Sequence, residues 1–224
     1  MLWELSKRLA AEFLGSMFLV AAAVSPIILF GTVLGSPPYI ALLADAIAVA
    51  FVLCALIEIF CPISGAHFNP LVTLVVWLKK EMGIKESALY VVVQVLGGFI
   101  GILITHLMFR DYVGGLVFVS EVARDNYNFI GEIVGSFILI FVILMLVETK
   151  STKTSIIVGL LVGGQIMATS STFFANPQVT IARMFTNSDA GIRPISGLGF
   201  ITMQFIGALL AYGAYKFFAS KKKI

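Results

Sequence analysis

The chain has 224 residues, of which 59% are hydrophobic and only 12% are charged, and its formal net charge is +3. A soluble domain carries about 25% charged residues, so a soluble globule of this composition would have to expose large apolar patches. The composition therefore excludes an ordinary soluble enzyme, a disordered chain and a nucleic-acid-binding protein, and it indicates a polytopic membrane protein.

Six apolar stretches are long enough to cross a bilayer, which takes about 20 residues per helix. They cover residues 9–31, 39–60, 86–109, 128–148, 155–172 and 195–218. Pro26 predicts a mild kink in the first stretch. The first stretch is too long for a signal peptide and no Ala-x-Ala pattern follows it, so we interpret it as a membrane span.

The basic residues predict the orientation, because cytoplasmic loops are enriched in lysine and arginine. With both termini inside, the inner side holds eleven of the 15 basic residues, the outer side holds three, and Arg183 is left over. The inner set is Lys7, Arg8, Lys79, Lys80, Lys85, Lys150, Lys153, Lys216, Lys221, Lys222 and Lys223, and the outer set is Arg110, Arg124 and Arg193. We therefore expect a multi-pass protein of the cell membrane (plasma or inner membrane) with both termini cytoplasmic. Lys221, Lys222 and Lys223 are expected to contact anionic lipid.

Two segments do not fit a plan of six simple spans. Residues 61–70 (CPISGAHFNP) follow the second stretch, and residues 170–177 (SSTFFANP) follow the fifth. Each leads into an apolar piece of about ten residues, which is too short to cross a bilayer and suits a re-entrant half-helix. Irregular backbone at membrane depth is tolerated only where it is buried in protein or lines a wet cavity.

The two halves of the chain also resemble each other. Three pairs of segments match in the same order: residues 11–16 (AEFLGS) with 131–136 (GEIVGS), 69–73 (NPLVT) with 176–180 (NPQVT), and 94–98 (QVLGG) with 204–208 (QFIGA). Because each half has three spans, the two halves enter the membrane from opposite sides and form an inverted repeat. In such proteins the functional site lies at the interface between the repeats. The prediction is one domain, residues 1–224, with repeats at about 1–115 and 120–224. Its fold class is an all-α membrane protein with six transmembrane helices and two re-entrant half-helices.

Each half-helix begins with Asn-Pro. Asparagine is a preferred N-cap and proline is favoured at the next position, so Asn69-Pro70 and Asn176-Pro177 each predict a helix start. Two helix N-termini near the bilayer centre would carry partial positive charge that repels cations and protons. The asparagine amides could donate hydrogen bonds to a neutral solute.

On these residues the chain resembles the aquaporin and glycerol-facilitator family, the major intrinsic proteins. The resemblance rests on residues 64–70 (SGAHFNP), the second Asn-Pro, the paired segments at Glu12 and Glu132, and the inverted repeat, and it covers essentially the whole chain. It implies a homotetramer with one pore per subunit. It also implies that Glu12 and Glu132 are buried and accept hydrogen bonds from the re-entrant loops, and that His67 lies in the inner vestibule.

The chain departs from the family pattern at the residue after each Asn-Pro. The family has alanine at both positions, where it packs one loop against the other, and this chain has Leu71 and Gln178. Leu71 is larger, and the polar group of Gln178 needs a partner or a place facing the lumen. We therefore expect the constriction at the centre of the pore to differ from that of the family.

The narrowest point of the family's pore is built from four positions, which by resemblance correspond to Val49, Gly164, Phe173 and Val179. The last is normally arginine. Valine at the second-span position and at 179 predicts a wider, more apolar gate, and residues 175–183 (ANPQVTIAR) resemble a bacterial subgroup associated with metalloid acids. Arg183 lies one turn after Val179, where it could reach back to the gate. The alternative, which we favour, is a salt bridge in the vestibule to Asp45 or Asp189.

The function predicted from all this is a passive channel for water and small uncharged solutes, such as glycerol-type polyols and neutral metalloid acids like arsenite, that excludes ions and protons. The alternative is an ion-coupled secondary transporter, for which Asp45 and Glu58 are the loose candidates for an ion-binding acid. The sequence shows no set of nucleophile, base and acid that would indicate an enzyme. With two histidines, two cysteines and no Cys/His cluster, neither a metal site nor a cofactor is expected. The expected partners are membrane lipids, further copies of the chain and small solutes, without nucleic acid.

Overall fold

The structure is a computed structural model that describes residues 2–219, and within that range all regular structure is helical. Residues 221–223, for which we expect lipid contact, lie outside the described residues. In chain order the helices are α1 (Leu2–Pro26), continued by a π-helical turn (Ile27–Val33), α2 (Pro38–Ser64), α3 (Pro70–Leu78), α4 (Ile84–Met108), α5 (Arg110–Val113), α6 (Tyr127–Glu148), α7 (Thr154–Ala168), α8 (Pro177–Arg183) and α9 (Pro194–Ala219). The change from α-helix to π-helix follows Pro26, where the sequence predicts a kink.

Within residues 2–219, five helices are long and apolar enough to span a membrane: α1 with its π-helical extension, α2, α4, α6 and α9. The fifth predicted span is shorter than expected, because α7 ends at Ala168 after 15 residues. At 1.5 Å per residue it is about 22 Å long. Thr169 already has extended dihedral angles, so residues 169–172 belong to the loop that leads to α8.

The two halves of the bundle are packed in the same way. Helix α1 lies against α4 and α6 lies against α9, while α2 packs against α7 across the middle. In both outer pairs a glycine makes the close approach possible: a Cβ atom on Gly97 would collide with the carbonyl oxygen of Phe13, and one on Gly207 with that of Ile133. Small residues of this kind let helix backbones pack closely in a membrane.

This packing can be tested with two alanine substitutions in the same helix. Gly207→Ala pushes a methyl group into the backbone of α6 and should cost about 1–3 kcal/mol of stability, as overpacked sites usually do. Gly213 has open space around its Cβ position, so Gly213→Ala should leave stability unchanged or raise it by up to about 1 kcal/mol. The thermal unfolding midpoints of the two purified variants in detergent are the measurement. Equal midpoints would contradict the close α6–α9 contact.

Candidate functional site

The two half-helices are capped by the asparagines that the sequence predicts. The Oδ1 atom of Asn69 accepts a hydrogen bond from the backbone N–H of Leu71 at 2.9 Å, and that of Asn176 accepts from Gln178 at 3.1 Å. Pro70 and Pro177 occupy the first helical positions, where a missing N–H costs nothing. The sequence thus determines both helix starts locally.

The same asparagines also join the two halves of the site. The Nδ2 atom of Asn69 donates to the carbonyl oxygen of Ala175 at 2.9 Å, and the Nδ2 atom of Asn176 donates to the carbonyl oxygen of Phe68 at 2.9 Å. Each cap therefore fixes the loop that precedes the opposite cap. The two helix N-termini face each other because of this exchange.

The loops before the caps have an unusual backbone conformation. Ala66 and Phe68 have φ angles of 51° and 46°, and Phe173 and Ala175 have 52° and 43°. A left-handed φ at a residue other than glycine costs of order 1–3 kcal/mol and persists only where the surroundings enforce it. Both loops therefore need strong external support.

Glu12 supports the first loop. This fully buried carboxylate accepts hydrogen bonds from the backbone N–H groups of His67 at 2.9 Å and Phe68 at 2.7 Å. It also accepts from the side chains of Ser64 at 2.7 Å and Gln94 at 2.8 Å. Four donors on two oxygens satisfy the carboxylate well enough to keep it at this depth.

Glu132 supports the second loop in the corresponding way. It is fully buried and accepts from the backbone N–H groups of Phe174 at 3.1 Å and Ala175 at 2.9 Å, and from the side chain of Gln204. Gln204 also donates to Thr180 at 2.8 Å. The resemblance to the family implies this role for both glutamates, and the hydrogen bonds agree with it.

The supporting role of the two glutamines is not part of the sequence interpretation. Gln94 donates to Thr73 at 3.1 Å as well as to Glu12, just as Gln204 bridges Thr180 and Glu132. The sequence does contain a sign of this role, because Gln94 and Gln204 are the first residues of the third pair of matching segments. A shared polar residue inside an apolar repeat is itself a sign of a buried hydrogen bond.

The two departures from the family motif pack outside the cavity. Leu71 is fully buried in an apolar cluster with Val75 and Ile140. Gln178 is also fully buried, and its Nε2 atom donates to the carbonyl oxygen of Phe68 at 3.2 Å. The Nε2 group of Gln178 therefore has its partner in the opposite loop, where it is a second donor to the carbonyl oxygen that Asn176 contacts. The Oε1 atom of Gln178 has no hydrogen-bond partner among the described residues.

A cavity of about 320 Å³ runs between the helices from Asp45 and Arg183 at one end to Lys150 and Ser151 at the other. Both capping asparagines line its middle. One face of α2 and one face of α7 form much of the wall, with residues at four-residue intervals: Asp45, Val49, Leu53, Ile57 and Cys61 from α2, and Thr154, Val158, Val162 and Ile166 from α7. The wall is mostly apolar, and its polar groups are concentrated at the two caps and the two ends.

Three of the four predicted gate residues, Val49, Phe173 and Val179, line this cavity, and the fourth prediction is wrong. Gly164 is exposed on the outer face of α7, with open space around its Cβ position. It lies two residues from Val162 and from Ile166, which is more than half a helical turn away from the wall. The resemblance assigns position 164 to the gate, but α7 ends at Ala168, earlier than the fifth predicted span. Ile166 is the last residue of α7 that lines the cavity.

The predicted salt bridge of Arg183 is not observed. Within residues 2–219, no ion pair joins it to Asp45 or to Asp189. Arg183 lines the cavity, donates from Nε to the carbonyl oxygen of Ala190, and lies 3.8 Å from the ring centre of Phe174. The guanidinium is held by a carbonyl and an aromatic face, which leaves its charge uncancelled by a direct partner.

His67 is a packed residue of the cavity wall. Its Nδ1 atom is 3.0 Å from Thr73 Oγ1, and its ring centre is 5.3 Å from that of Tyr90. No group of three or more potential metal ligands among His, Cys, Asp and Glu occurs in the part of the chain that the structure describes.

Comparison with known proteins gives consistent matches. The family model described as Major intrinsic protein matches residues 1–173. Aquaglyceroporin AqpS from Rhizobium meliloti is 37% identical over 209 residues, which are 93% of this chain and 88% of that protein. Aquaporin AqpM from Methanothermobacter marburgensis is 31% identical over 185 residues, 73% of this chain and 75% of AqpM. The X-ray structure of the aquaglyceroporin from Plasmodium falciparum shares the fold, with a TM-score of 0.72 at 20% identity over 94% of this chain and 95% of that one.

The support of the loops by buried carboxylates can be tested at Glu132. Glu132→Gln turns one acceptor oxygen into a donor that faces N–H groups. Each buried donor left without a partner costs about 1–3 kcal/mol, so we expect a large fall in the thermal midpoint and loss of folded protein. Glu148→Gln is the matched control, since Glu148 is exposed and accepts one hydrogen bond, from Tyr215. Equal midpoints for the two variants would disprove the supporting role.

Proposed function

Because this chain belongs to the major intrinsic protein family, and so is a passive channel for water and small solutes, we propose that its pore admits uncharged solutes of glycerol size and excludes ions and protons. The solutes would be polyols of the glycerol type and neutral metalloid acids such as arsenite. The name of the relative at 37% identity, an aquaglyceroporin, supports the larger solutes. Family membership also favours a channel over an ion-coupled secondary transporter and over an enzyme.

One observation carries the proposal: two helix N-termini capped by Asn69 and Asn176 meet in the middle of a mostly apolar cavity. Each asparagine amide has two N–H groups and uses one of them on the opposite loop, which leaves the other for a solute oxygen. The partial positive charge of the helix ends opposes cations and protons at the same place. A neutral hydroxyl group can accept the free N–H without meeting that charge barrier.

The size of the solute follows from the residues that surround the cavity near Arg183. Val49, Ile166, Phe173 and Val179 all line the cavity and belong to one apolar cluster, which we call the apolar ring, and position 179 carries no arginine. We propose that this apolar ring is the selectivity filter. Two valines leave more room than an aromatic ring and an arginine would, which favours glycerol-sized solutes over water alone.

The surroundings of the channel are also part of the proposal. At most half of the residues in the five spanning windows are buried within the chain, so their apolar side chains need lipid or further copies of the chain as a cover. A homotetramer in the cell membrane meets that need. The excess of lysine and arginine near the termini supports a cytoplasmic location for both of them.

Osmotic swelling of proteoliposomes tests the size of the filter. The unmodified channel should conduct glycerol together with water. Val179→Arg should lower glycerol permeability by about tenfold relative to water permeability, which corresponds to about 1.4 kcal/mol on the barrier. Rapid water flow without glycerol flow in the unmodified channel would refute the proposal. A dependence of solute uptake on a proton or sodium gradient would instead favour the transporter.

A second experiment addresses ion exclusion by Arg183. Removing this charge in Arg183→Ala should raise cation conductance, whereas Arg183→Lys keeps the charge and should stay closer to the unmodified channel. Arg110→Ala is the control, because Arg110 is exposed and does not line the cavity. Planar-bilayer conductance measures the effect. If Arg183→Ala conducts no more cations than Arg110→Ala, Arg183 has no part in the exclusion of ions.

A further inference from the structure

The Arg183 end of the cavity contains a buried carboxylate that the site described so far does not use. Asp45 lies on α2 one turn from Val49, lines the cavity and is only 3% exposed. Within residues 2–219 its Oδ1 atom has no hydrogen-bond partner and its side chain forms no ion pair. A buried carboxylate without a donor is costly, so this one needs a partner that the protein itself does not supply.

Two arginines lie near enough to attract Asp45 electrostatically, namely Arg183 and Arg124. Both are tied to other groups. Arg124 donates to the carbonyl oxygens of Gly191 at 2.9 Å and Asp189 at 2.8 Å, and its guanidinium is 5.0 Å from the ring centre of Phe174. Arg183 is held by a carbonyl oxygen and by the same ring. These contacts keep the positive groups from closing onto Asp45.

The result is a separated acceptor and donor on one cavity. Asp45 offers carboxylate oxygens, and the two NH₂ groups of Arg183 donate to no protein atom in the described part of the chain. A hydroxyl group is both a donor and an acceptor, so a molecule with several hydroxyl groups can satisfy both sides at once. A simple ion of either sign can pair with only one of the two sides and leaves the other without a partner.

We propose that Asp45 and Arg183 form a binding site for small neutral polyhydroxy solutes, with Asp45 accepting a hydrogen bond from one hydroxyl and Arg183 donating to the oxygen of another. The site rests on the proposed function, since it serves solutes about to pass the apolar ring. A solute must lose water at that ring, and the hydrogen bonds to Asp45 and Arg183 replace part of what it loses. Asp45 is thus a specificity-determining residue that favours polyols.

The test compares glycerol and water permeability in proteoliposomes by stopped-flow light scattering. Asp45→Ala removes the acceptor and should lower the glycerol-to-water ratio by about tenfold or more, the usual effect of one hydrogen bond to a charged group. Asp45→Asn keeps the shape and one weaker acceptor oxygen, so its ratio should fall less. Glu58→Gln is the matched control on α2, because Glu58 is exposed, bonds to Ser155 and does not line the cavity. Its ratio should not change.

The ratio separates this proposal from its alternatives. Both permeabilities scale with the number of folded channels, so poor folding of a variant does not imitate the effect. If Asp45 only narrows the cavity, Asp45→Ala should raise glycerol flow and Asp45→Asn should leave it unchanged. That result, or unchanged ratios in both variants, overturns the binding site while leaving the proposed function intact. Absence of glycerol flow in the unmodified channel overturns the proposed function itself.

Discussion

The rest of the structure depends on two buried carboxylates that accept backbone N–H groups from strained loops. Glu12 fixes His67 and Phe68, and Glu132 fixes Phe174 and Ala175. Without these acceptors, the left-handed residues in each loop would relax, and the chain would have no reason to turn back halfway through the bundle. A charge at this depth is expensive, but here each oxygen has donors placed to receive it.

The hydrogen bonds of the glutamates make the halves depend on each other. A loop held in this shape aims a carbonyl oxygen at the asparagine of the other half, so each capped helix is positioned by the loop of its counterpart. The arrangement is not fully symmetric, since Phe68 accepts from both Asn176 and Gln178, while among the described residues Ala175 accepts from the side chain of Asn69 alone. Leu71, at the position matching Gln178, packs into the apolar cluster instead. The amide of Gln178 thus adds a hydrogen bond between the loops without itself lining the cavity.

Much of this fold could be predicted from the sequence, because membrane helices are specified by length and hydrophobicity and the half-helices by Asn-Pro. The errors came from features that depend on packing in three dimensions. The resemblance assigns Gly164 to the gate, but the sequence does not fix where α7 ends. The four-residue spacing of Val158, Val162 and Ile166 marks the face of α7 that lines the cavity. The expected salt bridge of Arg183 failed because opposite charge alone does not set side-chain direction. Phe174 and the carbonyl of Ala190 determine it instead.

The position of Arg183 separates two tasks that one arginine would otherwise combine. With valine at position 179, the apolar ring contains no group that is both bulky and charged, so on our proposal the ring discriminates by size and by the cost of losing water. The charge lies one turn further along α8, opposite Asp45 on α2 and against Phe174. On our proposal an acceptor and a donor precede the apolar ring instead of lying within it, so a solute meets its hydrogen-bond partners first and its size limit afterwards. A wide filter can then remain selective, since the chemistry of the solute is recognised before its size is tested.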